Sequence, residues 1–306
     1  MNPNRLAWLV FVLLGACWGS SYLFIKIGVD GGLTPFTLIA IRLAVGVAVV
    51  ATVFLASRQT LPRRARTYGH LFVIAILSVA LPFSLITWAE RSVDSTLAAV
   101  INGAIPLCVI VIAPFVLPDE RLTPAKVLGL VVGFAGVAVL VGFDPGVVAG
   151  SSLAAVLALI GSTFSYAAGG VYARRFLRDV TPITTATFEL VFAFGIVATL
   201  AVVFESPIHV PADLAVLLAP VWLGVVGSGI AFMLFFRLLR DWGATRASMV
   251  AYLIPVFGLA LGAAVLGERI DARLICGTAL VVAGIAIVNA RLPQLRASRQ
   301  PLVERP

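Results

Sequence analysis

Charge is what this chain has least of. Asp, Glu, Lys and Arg make up 12% of its 306 residues, hydrophobic residues make up 61%, and the mean hydropathy is +1.08. A soluble domain spends about a quarter of its residues on charge, so a soluble globular chain is excluded. Lysine is nearly absent, with only Lys26 and Lys126 beside a set of arginines, the usage of GC-rich bacterial genomes. Cysteine is scarce as well. Cys17, Cys108 and Cys276 sit singly in separate apolar stretches with no CxxC, which rules out a disulfide framework and a thiolate metal site. His70 and His209 are too far apart to make a metal site between them. No HExxH, GxSxG or GxxxxGK[ST] pattern occurs, so zinc hydrolase, nucleophile-elbow and ATP-driven chemistries have no residues to work with. No enzyme activity, metal or cofactor is expected.

Long apolar runs are what the chain does have. About 20 predominantly apolar residues cross the hydrocarbon core, and ten stretches qualify: 6–27, 33–56, 69–89, 95–117, 124–142, 151–173, 182–204, 213–239, 244–266 and 272–289. The first follows Arg5 and contains Leu14-Gly15-Ala16-Cys17, which is similar to a lipoprotein signal. The apolar pattern continues from Trp18 to Ile25, so this stretch is read as a retained helix. Thr34-Pro35, Thr123-Pro124 and Thr181-Pro182 each place a capping hydroxyl before a proline at the first helical position, and Asp271 takes the capping place in the last span.

The chain also repeats itself. Pro106, Glu120-Arg121, Gly129 and Gly136 return as Pro255, Glu268-Arg269, Gly277 and Gly284. From each Glu the two glycines follow at the same distances, so the sequence divides into two related halves. We expect domains at 1–143 and 144–290 and a basic tail at 291–306.

The formal charge of +8 is distributed as a topology signal, and no nucleic-acid partner is expected. With the N-terminus inside, seventeen of the twenty-two Lys and Arg residues fall in inner segments, including Arg58, Arg64, Arg121, Arg174, Arg246 and the tail. Lys26, Arg91, Arg269 and Arg273 fall outside, and Arg42 lies within a span. Basic loops stay in the cytoplasm, so both termini are expected there. Five spans per half is an odd number, so the second half enters the membrane upside down. Inverted repeats are a device of secondary transporters, because a site at their interface can be exposed to each side in turn.

Trp18-Gly19-Ser20-Ser21 with Lys26, the two Pro-to-Glu-Arg-to-Gly patterns, and the paired starts at Thr34-Pro35 and Thr181-Pro182 resemble the drug/metabolite transporter superfamily in its EamA-type branch. The resemblance covers residues 6 to 290. The family's Leu-Gly-Glu-Arg is kept at Leu266-Gly267-Glu268-Arg269 and becomes Leu117-Pro118-Asp119-Glu120-Arg121 in the first half. It implies an all-α integral membrane protein of the bacterial inner membrane. In it, ten transmembrane helices form a 5+5 inverted-topology repeat around a central cavity that passes small metabolites by alternating access.

Ionisable groups inside a span are costly, about 2.5–3.5 kcal/mol at the centre on insertion scales, and mark function by default. Arg42 follows Pro35 by seven residues and Glu189 follows Pro182 by seven, so opposite charges occupy equivalent places. They make an ion pair or share a cavity, with Arg42 holding a substrate carboxylate and Glu189 an amine or a proton. The competing reading is that each is neutralised locally and only holds the fold. Polar stripes at helical spacing nominate Trp18, Ser21 and Tyr22 on the first span, Asn102 on the fourth, Tyr166 on the sixth and Tyr252 on the ninth as cavity-lining. The alternative is that they are helix–helix glue. Pro106 and Pro255 are expected within helices, each removing a donor and freeing a carbonyl as a hinge. Gly129–Gly133 and Gly258–Gly262 are expected to serve internal packing in preference to a dimer, leaving monomer and homodimer both open. Glu90 is expected to be solvated, and the two Glu-Arg pairs to act as local caps.

The expected activity is therefore secondary transport of small organic solutes across the lipid bilayer, as an exporter, with a proton as candidate coupling ion. The alternative is a passive facilitator or channel. Reporter fusions at Arg64 should read cytoplasmic and fusions at Asp144 external; the same location for both would overturn the topology.

Overall fold

The computed structural model describes residues 3–57, 59, 61–118, 120, 122–141, 151–242 and 248–289. Arg58, Arg121, Gly142, Asp144, Thr245, Arg246 and the basic tail lie outside the described residues. The described residues are helical, with no strand. We number the rods α1 (Pro3–Asp30), α2 (Pro35–Ala56), α3 (Ala65–Ala75, Ile76–Ala80 and Leu81–Ala89), α4 (Ser95–Gly103 and Ile105–Val116) and α5 (Pro124–Val141). The second half gives α6 (Ser151–Phe176), α7 (Pro182–Phe204), α8 (Leu214–Trp222, Leu223–Ile230 and Ala231–Trp242), α9 (Ser248–Tyr252 and Leu253–Leu266) and α10 (Ala272–Asn289). Among the described residues, seven helices are long and apolar enough to cross a membrane. Pro124–Leu140, Val250–Leu266 and Ala272–Val288 are shorter apolar helices. Large apolar side chains such as Leu55, Phe115, Val131 and Val203 point outward, which suits lipid as the surrounding solvent.

Packing follows a rule that can be read as a permutation. α2 lies on α7, α4 on α9 and α5 on α10; α1 packs on α8 and α9 as α6 packs on α3 and α4; α2 packs on α8 as α7 packs on α3. Exchanging each helix for the one five places along leaves this set unchanged. Where equivalent helices touch, in the pairs α2–α7, α4–α9 and α5–α10, they run antiparallel. Phe36 near the start of α2 meets Phe204 at the end of α7, and Phe54 meets Phe188, both pairs at 6.4 Å between ring centroids. On α5 and α10 the repeated glycines meet each other. A Cβ on Gly129 would stand 2.5 Å from the Gly284 carbonyl oxygen, and one on Gly136 would stand 2.8 Å from that of Gly277. Small residues let backbones approach closely where lipid supplies no hydrophobic drive between helices, so the four motif glycines form one interface inside the chain. Gly133 and Gly258 are likewise covered from within, by Leu107 and Ala99.

The helix starts show which groups satisfy them. Thr123 accepts from the Lys126 N–H, Thr181 from Thr184 and Asp271 from Leu274, as the sequence signatures predict; Asp213, which no signature singled out, accepts from Ala215 and Val216. Thr34 departs from the pattern, because its hydroxyl makes no cap. The Glu205 carboxylate, from the end of α7, accepts from the Phe36 and Thr37 N–H groups at 2.9 and 2.7 Å and from both threonine hydroxyls. Glu268 is not a local cap either. Its carboxylate accepts from the Ser95 N–H (2.8 Å), the Ser95 hydroxyl and the Thr96 N–H (2.9 Å), and so closes the start of α4 across the half boundary. Gly267 makes this possible by ending α9 at φ +67°, the left-handed conformation that glycine adopts without a Cβ penalty. A carboxylate beats a hydroxyl at both sites because it carries charge towards the positive end of the helix dipole and accepts from several donors at once.

The prolines also sit differently from expectation. Pro106 is not mid-helix: α4 breaks at Gly103–Ala104, and Pro106 lies in the first turn of the segment that restarts at Ile105. Pro255 is the third residue of the α-helix that follows the 3-10 turn Ser248–Tyr252. First-turn N–H groups have no intrahelical partner, so proline costs little there. The two breaks touch, since a Cβ on Gly103 would fall 2.7 Å from Pro255 Cγ.

Glu120 caps no helix; it is a partly exposed ion-pair centre, bonded to Lys126 of its own half at 2.8 Å and to Arg174 of the other at 2.6 Å. Those hydrogen bonds, first Lys126 and then Arg174, hold its carboxyl below the usual range. Whatever stability they add is present at neutral pH and is lost as pH falls through that lowered value. Surface pairs contribute about 0–1 kcal/mol and helix caps about 0.5–2 kcal/mol. Glu268→Ala should therefore lower the melting temperature of the purified protein clearly more than Glu120→Ala. The reverse order would contradict the cross-half cap.

Candidate functional site

Two helices depart from α-geometry at matching places. Ile76–Ala80 in α3 and Leu223–Ile230 in α8 are π-helical segments, and both begin 147 residues apart, the spacing that separates Pro35 from Pro182. A π segment widens the turn and leaves backbone groups to be satisfied from outside. Ser165 on α6 does this in α3, donating to the Leu77 carbonyl at 2.6 Å.

Each π segment presents a serine to one of the two in-span charges. Arg42 on α2 donates from Nε to Ser228 Oγ in α8 at 3.3 Å. Glu189 on α7 lies beside the Ser78 side chain in α3, which favours its charged form. The two arrangements are counterparts under the exchange of halves, with opposite charge. Arg42 is 5% exposed and its guanidinium lies 3.9 Å from the centre of the Phe83 ring, a cation–π contact that strengthens when dry. Glu189 is 8% exposed. Among the described residues neither charge has an opposite charge within 4 Å, and the two form no ion pair with each other. Tyr166 lies in electrostatic range of both, and Tyr22 in range of Arg42. Small residues make room for the contacts. A Cβ on Gly169 would collide with Ser78 Oγ, and one on Gly227 would stand 2.9 Å from Ser21 Oγ and 3.6 Å from the Arg42 guanidinium.

The candidates therefore separate. Ser21, Tyr22, Arg42, Tyr166 and Glu189 gather where α1, α2, α6 and α7 face the two π segments. Trp18 is half-buried on α1 with its ring 5.6 Å from Phe235 on α8. Asn102 is 1% exposed and ties α4 to α6, accepting from Ser162 Oγ at 2.9 Å while donating to the Ala98 carbonyl. Tyr252 ties α9 to α10 through the Ile285 carbonyl at 2.6 Å. Both thus lie at helix seams. A cavity of about 550 Å³ opens elsewhere, at the end of the bundle near Thr34, Ser84, Trp88, Arg91 and Glu205, and none of the predicted residues lines it. Its polar wall includes Thr34 and Glu205 from the cap of α2.

Sequence reasoning missed Ser78 and Ser228, ordinary serines until the π segments aim them. It also misplaced Glu90. That residue is fully buried, and neither carboxyl oxygen has a hydrogen-bond partner. A glutamate beside Arg91 at a helix end reads as solvated, but the α3–α4 turn folds it inward beneath α1.

Comparison with known proteins decides the family. The model of the EamA-like transporter family matches residues 5–142 and again 153–290. The chain belongs to that family. It is similar to the Escherichia coli K12 protein named uncharacterized inner membrane transporter YedA, with 30% identity over 279 residues, covering 89% of this chain and 87% of the other. An Archaeoglobus fulgidus protein named uncharacterized transporter is 25% identical over 281 residues, covering 92% of this chain and 98% of that one. A crystal structure superposes with a TM-score of 0.68 at 25% identity, covering 92% and 96% of the two chains. This EamA protein is thus a multi-pass, all-helical membrane protein with two copies of the family unit.

Proposed function

We propose that this EamA protein is a secondary transporter. It exports small organic solutes bearing a carboxylate across the inner membrane, by alternating access between two upside-down halves, residues 1–143 and 144–290, around a central passage. Both termini lie in the cytoplasm. The observation that carries the reading is the matched pair Arg42–Ser228 and Glu189–Ser78. Each in-span charge belongs to one half and is met by a π segment of the other, so a sliding of the halves alters both contacts together. The antiparallel packing of equivalent helices supports the inversion, and the basic inner loops support the sidedness.

The chemistry follows from what each charge lacks. A guanidinium has five N–H donors, and Arg42 gives one to Ser228 while its face rests on Phe83. The remaining donors fit a carboxylate in a bidentate fork. Glu189 lies beside the Ser78 hydroxyl and, among the described residues, has no cation within 4 Å. Buried charges must be paired or neutralised, so a proton or a substrate amine serves as its complement. Together the two suit a zwitterion of amino-acid type, with Tyr166 between the charges.

Metabolites inside and outside cells overproducing the protein should be compared with those of cells making Glu189→Gln and Arg42→Ala at equal membrane abundance. Glu189→Gln should abolish flux that responds to collapse of the proton gradient; unchanged flux removes Glu189 from the mechanism. Flux indifferent to the gradient in the wild type would instead favour a passive facilitator. Arg42→Ala should reduce movement of carboxylate solutes by about 10-fold or more, since hydrogen bonds to charged groups contribute about 1.5–3 kcal/mol. Cationic solutes should be affected less, and equal losses would make Arg42 structural.

A further inference from the structure

Glu90 is the one buried side chain among the described residues whose polar atoms have no partner. It closes α3. Its N–H bonds to the Ile86 carbonyl at 2.9 Å, and its own carbonyl accepts Lys26 Nζ at 2.8 Å. Two of the three donors of the ammonium that could neutralise it go to its backbone and to Asp30 Oδ1 at 3.1 Å, and none reaches the carboxyl, which lies in a buried corner. The charged and titratable groups around that corner are Tyr22, Lys26 and Asp30 from α1, Arg42 from α2, Asp94 at the start of α4 and Glu268 from the turn after α9. From α6 come Val156 and Leu159, in the same apolar cluster as Ile86 and Ala89.

An ionised carboxylate that no donor reaches is costly to hold in such a place. Lys26 and Arg42 nearby also disfavour a metal cation as its complement. We propose that Glu90 is a proton-binding site, distinct from Glu189, that keeps the α1–α3–α4 corner closed while protonated. When the proton leaves to water at that end of the bundle, Lys26 turns from the Glu90 carbonyl to its carboxylate and the corner loosens. Its role as a gate rests on the transporter reading; the protonation itself does not. Burial pushes the Glu90 carboxyl well above the usual range, with Lys26 opposing and Glu268 and Asp30 adding to the shift. A raised carboxyl binds its proton more tightly in the folded than in the unfolded state. The stability it contributes is thus present at low pH and declines as pH rises through the raised value.

The test is pH-titrated infrared difference spectroscopy on the full-length protein in nanodiscs, which needs no substrate. The expected result is a carbonyl-stretch component of a protonated carboxylic acid at neutral pH that disappears on alkalinisation. It should be kept in Glu189→Gln and lost from the Glu90→Gln/Glu189→Gln double variant, where Glu189 contributes nothing. In parallel, the wild-type melting temperature should fall with rising pH through the midpoint of that component, and Glu90→Gln should show a flatter profile, because the amide stands in for the neutral acid. Glu90→Asp should move the midpoint. Absence of the component from Glu189→Gln, its survival in the double variant, or an unmoved midpoint in Glu90→Asp would overturn the proposal. Absence of transport with the component intact would overturn only the transporter reading.

Discussion

A helix terminus in or near hydrocarbon has no water to satisfy its backbone, and every N–H left over costs several kcal/mol unless something donates or accepts in its place. In this chain the shortage is met across the boundary between halves. Glu205 from α7 closes the start of α2, and Glu268 from the turn after α9 closes the start of α4. The same constraint governs the interior departures, where Ser165 takes up a carbonyl of the α3 π segment. The halves are thus joined through groups that neither can leave unpaired. Polar groups at such a junction are where function is built, since rearranging them exchanges one satisfied state for another.

Within that frame the two in-span charges acquire a common logic. Arg42 and Glu189 differ in sign yet occupy one position of a repeated unit, and the partner of each is a serine in the other half's π segment. A regular α-helix would bury those serines in its own i−4 bonding. The widened turn instead aims them sideways, and the glycines at 169 and 227 keep the space clear. Membership of the EamA-like transporter family fits a chain whose costliest residues lie on this seam.

Much of this was legible in the sequence because it depends on period and punctuation. Apolar length located the helices, Thr-Pro located three starts, and the equal spacing of Pro35–Arg42 and Pro182–Glu189 singled out the two charges before any coordinates. What escaped depends on contacts between residues far apart. Glu268 caps a helix 172 residues away, and only tertiary packing brings them together. Pro106 marks a break, but whether a proline kinks a helix or opens a new one is settled by its neighbours; here Gly103 yields to Pro255. Glu90 carries no apolar signature of its own, so nothing in the sequence sets it apart from a solvated helix end. Asn102 and Tyr252 shared the helical spacing of the other polar residues and lie at seams, because spacing gives a face of a helix and not its neighbour.

The central claim is that two halves exchange exposure of one buried site, and pairwise distances at the two ends test it most directly. Spin labels at residues 91 and 206 report one end of the bundle, and labels at 63 and 178 report the other, each pair joining one half to the other. Double electron–electron resonance on the full-length protein in liposomes, across pH and with candidate zwitterions, should give two populations per pair. The pair at one end should widen as the pair at the other narrows. A single fixed distance at both ends, or both ends widening together, would contradict the account.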